Sequence, residues 1–173
     1  MSRELLVVLL SIAFRLTLVA QNERLILNFP TENKWKIIQN IQDSTSSKII
    51  YIPENESEAN WNTLVLITKA QFYKNHSMIE VANSFIKGAM DESPNAKATF
   101  LGKSGKNEKK WILLKTETPN FPNDPNPESD LFYVKEGTNW DFVICVMIKK
   151  KKFPKLIEDK WVKILKLTKI DNI

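Results

Sequence analysis

Nucleophilic and general acid–base chemistry draws first on histidine and cysteine, and this sequence carries one of each. His76 stands in Lys74-Asn75-His76-Ser77, just ahead of a helix start. The positive end of a helix dipole disfavours imidazolium, so His76 reads as local structure rather than as a proton carrier. Cys145 lies inside Phe142-Val143-Ile144-Cys145-Val146-Met147, where a thiol has neither access nor a charge to stabilise its thiolate. It reads as a small buried hydrophobe, and being single it has no partner for an intramolecular disulfide. No nucleophile-elbow sequence supports a Ser–His–Asp arrangement. One His and one Cys cannot build a zinc site without several carboxylates. Asp124, Glu128 and Asp130 are the nearest approach to an acidic cluster, but they lack the alternating ligands and turn glycine of an EF-hand loop and read as a solvated loop. No metal, cofactor or catalytic residue is assigned.

Gly102-Lys103-Ser104-Gly105-Lys106 lacks the four-residue gap between glycines, and the hydroxyl after the second lysine, that a phosphate-binding loop requires. It reads as a hairpin tip. Lys149-Lys150-Lys151-Lys152 is the strongest electrostatic feature and could gather phosphate or anionic lipid through counterion release. No RNA-binding aromatic signature accompanies it, so nucleic acid is disfavoured and contact with a membrane surface stays open. The competing role is to keep a sheet edge soluble. Trp35, Trp61, Trp111, Trp140 and Trp161 fall one to an element, which points to packing before a carbohydrate platform.

The elements that must position these groups are legible from periodicity. A charged start, the apolar stretch Leu5 to Phe14 and a small residue at a polar boundary make a secretory leader over residues 1–20, with cleavage after Ala20. Arg15 interrupts a stretch already too short for a membrane span, and the competing reading is a buried N-terminal helix. Cleavage would lower the formal net charge from +5 to +4. The remainder, 21–173, suffices for a single domain with its own core.

Strands are expected at Trp35–Ile41, Lys48–Ile52 and Trp61–Thr68, with a turn over Asp43–Ser47. Ser77-x-x-Glu80 is a capping box opening a helix whose apolar stripe is Met78, Ala82, Phe85, Ile86 and Ala89. Ala96–Leu101, Trp111–Thr116, Leu131–Lys135 and Trp140–Ile148 complete the strands, the last apolar on both faces and therefore central. Gly137 supplies a positive φ to the hairpin over 136–139. Residues 119–128, rich in proline, form an irregular loop. A last helix begins near Pro154 and carries Leu156, Ile157, Trp161, Ile164 and Leu165 on one side. The order implies an α+β domain, a mostly antiparallel sheet flanked by helices.

Ile52-Pro53-Glu54-Asn55-Glu56-Ser57-Glu58-Ala59-Asn60-Trp61-Asn62 resembles a phrase of small exported bacterial proteins, Ile-Pro-Glu-Gly-Glu-x-x-x-Asn-Trp-Thr, with Asn55 and Asn62 in place of Gly and Thr. Val134-Lys135-Glu136-Gly137 and Trp161-Val162-Lys163-Ile164-Leu165-Lys166 extend the resemblance over most of residues 25–170. It implies a PsbP-like α/β/α sandwich, used also by photosystem II extrinsic subunits, a Ran-binding nucleotide-release factor and secretion-effector chaperones. These relatives mostly bind or assemble, and no shared catalytic set comes with the resemblance. Pro53 and the 54–60 loop would set Trp61 at a strand start, its ring closing the core while Asn60 satisfies the turn.

The expectation is an exported, periplasmic or secreted, non-enzymatic binding or assembly domain whose partner is an unknown protein or small ligand of the cell envelope. Its candidate binding residues are Glu54, Glu56, Asn60 and Trp61 together with Lys149, Lys150, Lys151 and Lys152. The rivals are a secretion-effector chaperone or toxin-neutralising partner, and a carboxylate-based hydrolase. A deep pocket gathering Asp124, Glu128 or Asp130 with another carboxylate would reopen the enzyme reading.

Overall fold

The computed structural model describes residues 23–71, 76–105, 110–122 and 126–172. The expected leader over 1–20, Asp124 and Lys106 lie outside the described residues. The elements, in chain order, are β1 (Glu23–Ile26), β2 (Trp35–Gln42), β3 (Ser46–Pro53), β4 (Thr63–Ala70), α1 (Met78–Glu92), β5 (Lys97–Lys103), β6 (Trp111–Thr118), β7 (Glu128–Glu136), β8 (Asp141–Ile148), α2 (Lys155–Lys166) and β9 (Lys169–Asn172). Seven strands form one antiparallel sheet in the order β2-β3-β4-β8-β7-β6-β5. The architecture is the expected α+β one. Among the described residues no helix is long and apolar enough to cross a membrane.

Alternation along the central strands divides the core between two faces. Val65, Leu113, Leu131, Tyr133, Ile144 and Val146 face α2, which contributes Trp161 and Leu165. Ile112, Leu114, Val134 and Val143 face α1, which contributes Val81 and Ala82 with Phe85 and Ile86 beside them. β8 is buried on both faces and lies between β4 and β7, as an apolar strand without alternation requires. Helix α1 begins with the expected reciprocal cap: the Glu80 N–H donates to Ser77 Oγ at 3.3 Å, and the Ser77 N–H to Glu80 Oε2 at 2.5 Å. The Asp43 carboxylate closes the β2–β3 turn by accepting from the Thr45 N–H at 2.6 Å and the Ser46 N–H at 2.7 Å.

In α2 the buried stripe differs from the expected one. Leu156 is 84% exposed and Ile157 37%, whereas Glu158 is buried with Trp161 and Leu165. Glu158 can point inward because Lys115 of β6 donates to its Oε2 at 2.8 Å. Ion pairing, invisible to a hydrophobic period, replaces two apolar anchors with one carboxylate. Pro154 is the N-cap, outside the first turn.

Two further features escape periodicity. Strand β9 has no apolar pattern and pairs with β1 in a separate two-stranded ribbon, Glu23 opposite Asn172 and Ile26 opposite Lys169. Glu23, buried at the start of β1, accepts from the Thr138 N–H at 2.5 Å and from the Asn139 and Trp140 N–H groups at 2.9 Å. Burial alone would raise the pKa of Glu23; those backbone donors outweigh it and hold the carboxyl below its ordinary value. They also explain Gly137, which is not at positive φ as expected. A Cβ there would stand 2.2 Å from the Trp140 carbonyl oxygen and 2.7 Å from Glu23 Oε2. Space, not backbone freedom, selects glycine.

Candidate functional site

The two segments chosen from sequence meet at one end of the sheet. Thr63, opening β4, is registered against Ile148, which closes β8, so the approach to β4 and the exit from β8 run side by side. The Lys149 N–H donates to the Asn62 carbonyl at 3.0 Å, and the Lys149 ammonium stands 4.6 Å from the Trp61 ring centroid. Glu56 shapes the loop: it accepts from the Asn62 N–H at 2.7 Å and the Thr63 N–H at 3.2 Å. The Asn60 N–H donates to the Ser57 carbonyl at 3.1 Å, and the Glu54 N–H donates to the Lys34 carbonyl at 2.8 Å. Glu54 and Asn60 leave their side chains exposed. The loop is thus a self-supported turn, with Trp61 half-buried at its end and outside both core clusters. Its ring does not close the core; it carries a lysine.

Lys149, Lys150, Lys151 and Lys152 are all exposed, and among the described residues none meets a carboxylate at ion-pair distance. They follow β8, which has strands on both sides, so they do not guard a sheet edge. The Ser129 hydroxyl donates to the Lys150 carbonyl at 2.7 Å and ties the run to β7. An aromatic face flanked by unpaired ammonium groups can hold an anionic partner through charge while the ring supplies apolar contact.

A second arrangement lies on the α1 side of the same end of the sheet. A cavity of about 250 Å³ is walled by Phe85, Phe121 and Phe132 and gathers Glu92, Glu128 and Asp130. Phe85 and Phe132 stack with ring centroids 5.0 Å apart. Asp130 is only 7% exposed. Its Oδ2 accepts from the Thr116 hydroxyl at 2.8 Å, while its Oδ1 is buried with no donor group against it, and the protonated carboxyl shares a hydrogen bond with that of Glu128. Burial first, and then the charge of Glu128, push the Asp130 carboxyl up to about 7. The expected solvated acidic loop is therefore a lined cavity at Glu128 and Asp130, and by gathering them with Glu92 it keeps the carboxylate-hydrolase rival open. The sequence signal was present but inverted: Asp130 alternates with Glu128 and Phe132 on one face of β7, and alternation next to a central strand marks a buried position.

The remaining chemistry-bearing residues sit apart from both places. Cys145 is buried, and burial, followed by the charges of Asp130 and Glu128, raises its thiol well above the usual value. An inert buried thiol is what the apolar run predicts. His76 is exposed and lines a separate cleft with Lys103, Ser104 and Trp111 at the opposite end of α1. Trp35, Trp111 and Trp161 pack in the α2-side core, while Trp140 lies under the Lys69 ammonium at 4.8 Å. Among the described residues no three His, Cys, Asp or Glu side chains converge to hold a metal ion.

No family model matches the chain, and no curated protein matches it. Solved structures that match it include these two. The Ran-binding protein Mog1p of Saccharomyces cerevisiae superposes with a TM-score of 0.52 at 11% identity, over 87% of this chain and 96% of that one. LpqN of Mycobacterium tuberculosis, described as involved in cell envelope biogenesis, gives a TM-score of 0.45 at 10% identity, over 89% of this chain and 87% of that one. At such identities the likeness to Mog1p is one of fold alone.

Proposed function

We propose that this chain is a non-catalytic binding domain of the cell envelope, exported by a leader over residues 1–20 and folded as one domain from residue 21. In this reading it binds an acidic segment of a partner protein with Trp61 and Lys149, Lys150, Lys151 and Lys152, while Glu54, Glu56 and Asn60 shape the loop that presents them. The observation that carries the proposal is the approach of the Lys149 ammonium to within 4.6 Å of the Trp61 ring beside three further exposed lysines. A half-buried aromatic gives affinity on desolvation, and lysines give attraction and salt dependence. Mog1p, of the same fold, is a Ran-binding protein, which is in keeping with partner binding, although fold alone does not choose a partner. Kinship with PsbP-like exported proteins belongs to the same proposal.

Titration of the full chain with poly-glutamate at low and physiological salt tests the surface. The expected result is binding that weakens as salt rises, falls about tenfold when Lys150 and Lys151 become Glu, and falls several-fold in Trp61→Ala. Tighter binding to anionic vesicles than to the polyanion would overturn the protein-partner assignment in favour of membrane contact. Export is checked by the mass of the protein in an envelope fraction: a chain starting at Gln21 supports it, and retention of Met1 overturns it.

A further inference from the structure

We propose that the groove between α1 and the edge strand β5 binds a medium-chain fatty acid, its carboxylate at Lys103 and its alkyl chain over Ile79, Ile86 and Phe100. The site is separate from Trp61 and the lysine run and does not rest on the reading of that surface. Helix α1 turns Val81 and Ala82 onto β6, β7 and β8, which leaves open the strip between the helix and β5, the last strand of the sheet. A groove of about 250 Å³ runs there, floored by the buried Ile112 and Leu114, with Ile79 and Ile86 on the helix bank and Phe100 on the strand bank. Two turns separate Ile79 from Ile86, so both stand on the same side of α1. Ile79 is 58% exposed and Phe100 55%. Single exposed apolar residues are ordinary, but apolar side chains facing each other across an apolar floor make a place for an apolar guest.

The kind of guest follows from the charge at one end. Phe100 is registered against Leu114 and Lys103 against Ile112, so both lie on the α1 face of the sheet. Lys103 lines this groove and also an adjoining cleft of about 470 Å³ at the start of α1. It is exposed, and among the described residues no carboxylate stands at ion-pair distance from it. Glu136, the carboxylate among the described residues that lines the cleft, is already met by Lys110 at 3.5 Å. An unpaired ammonium at the end of an apolar channel suits a chain that is apolar along its length and anionic at its tip. At about 30 Å³ for each heavy atom the groove holds on the order of eight, the length of a medium acyl tail. An added strand fits less well. β5 shifts register between Phe100 and Gly102 and has a lysine at each end, devices that discourage edge pairing. In an antiparallel pair of two copies centred on Phe100, Lys97 would face Lys103, charge against like charge.

The test is calorimetric titration of the full chain with hexanoate, octanoate and decanoate. The expected result is a Kd for decanoate below about 1 mM, with affinity rising about two- to fourfold for each added methylene and levelling off in longer acids once the groove is full. Lys103→Glu and Phe100→Glu should each weaken decanoate binding about tenfold; both side chains are exposed, so the thermal midpoint should stay where it is. The double change of Lys150 and Lys151 to Glu should leave decanoate binding unaltered. On the unaltered protein, 1-octanol and octyltrimethylammonium should bind about tenfold more weakly than octanoate. Octanol or the quaternary amine binding as tightly as octanoate, affinity that ignores chain length, or binding that survives Lys103→Glu or Phe100→Glu would overturn the assignment. Loss of binding in the Lys150 and Lys151 variant would move the anion to the lysine surface and overturn it as well. So would the absence of decanoate binding at about 1 mM together with either a dimer in sedimentation that Phe100→Glu dissolves, which makes a second copy the occupant, or adsorption to phosphatidylcholine vesicles that Phe100→Glu removes, which makes it a membrane. Failure of poly-glutamate to bind says nothing about this groove.

Discussion

Replacing Asp130 with asparagine should make the protein more stable, and by an amount that depends on pH. The carboxyl titrates at about 7 in the folded chain, against an ordinary value of 3.8. The folded state therefore holds the proton more tightly than the unfolded one. Stability from the protonated form is complete below the unfolded value, declines as pH rises from about 4, and is fully lost once pH passes the folded value. At 1.36 kcal/mol per unit the difference amounts to about 4 kcal/mol at pH 8, about 2 at pH 5 and almost nothing at pH 4. Asparagine keeps an oxygen for the Thr116 hydroxyl and carries no charge next to Glu128 and Glu92, so it should recover most of that loss. Urea unfolding followed by tryptophan fluorescence, with a slope of about 2 kcal/mol/M, should place the midpoint of Asp130→Asn about 2 M above that of the unaltered protein at pH 8. The gap should close toward pH 4. A variant that is equally or less stable at pH 8, or a gap that does not vary with pH, would refute the account of Asp130 as a buried acid.

Gly137→Ala should cost about 1–3 kcal/mol in the same assay, because a Cβ would meet the Trp140 carbonyl at 2.2 Å and Glu23 at 2.7 Å. Glu23→Ala should cost about 2 kcal/mol by leaving the N–H groups of residues 138–140 without their acceptor. With the native carboxylate, the part of stability due to Glu23 should be present above its unfolded pKa and fade as pH falls through its lower folded value, readable as a steeper acid limb than in Glu23→Gln. Gly88→Ala should add about 0.5–1 kcal/mol, since the new Cβ meets nothing and alanine favours the helix; a loss on chemical denaturation would show that the surface there is closed. Ser77→Ala should lower stability by about 1 kcal/mol through loss of the α1 cap, seen as a lower thermal midpoint.

Local rules made much of the fold legible. The capping box at Ser77 and Glu80, the two-sided apolar run of β8 and the turn at Asp43 all follow from spacing within a few residues. What stayed hidden depends on partners far along the chain. Strand β9 exists because β1 offers it an edge, Glu158 is buried because Lys115 meets it, and Gly137 is required because Glu23 occupies the space a Cβ would need. The candidate surfaces divide in the same way. Trp61 and the lysine run were identifiable by residue type, but their meeting depends on the β4–β8 register. Asp130 and Glu128 were visible as an acidic pair, yet only the fold shows that Asp130 is buried and that both line a cavity with Glu92 and Phe85 of α1.

The β1–β9 ribbon sets a timetable for biosynthesis. Residues 23–26 are translated early, but the strand they pair with, 169–172, and the hairpin that Glu23 grips emerge from the ribosome only much later. At about 5–20 residues per second, that interval is on the order of ten seconds. Throughout it residues 23–26 have no edge to join. If the proposed leader delivers the chain to a translocation channel that accepts only extended polypeptide, the segment meets it unpaired and the clasp closes on the far side.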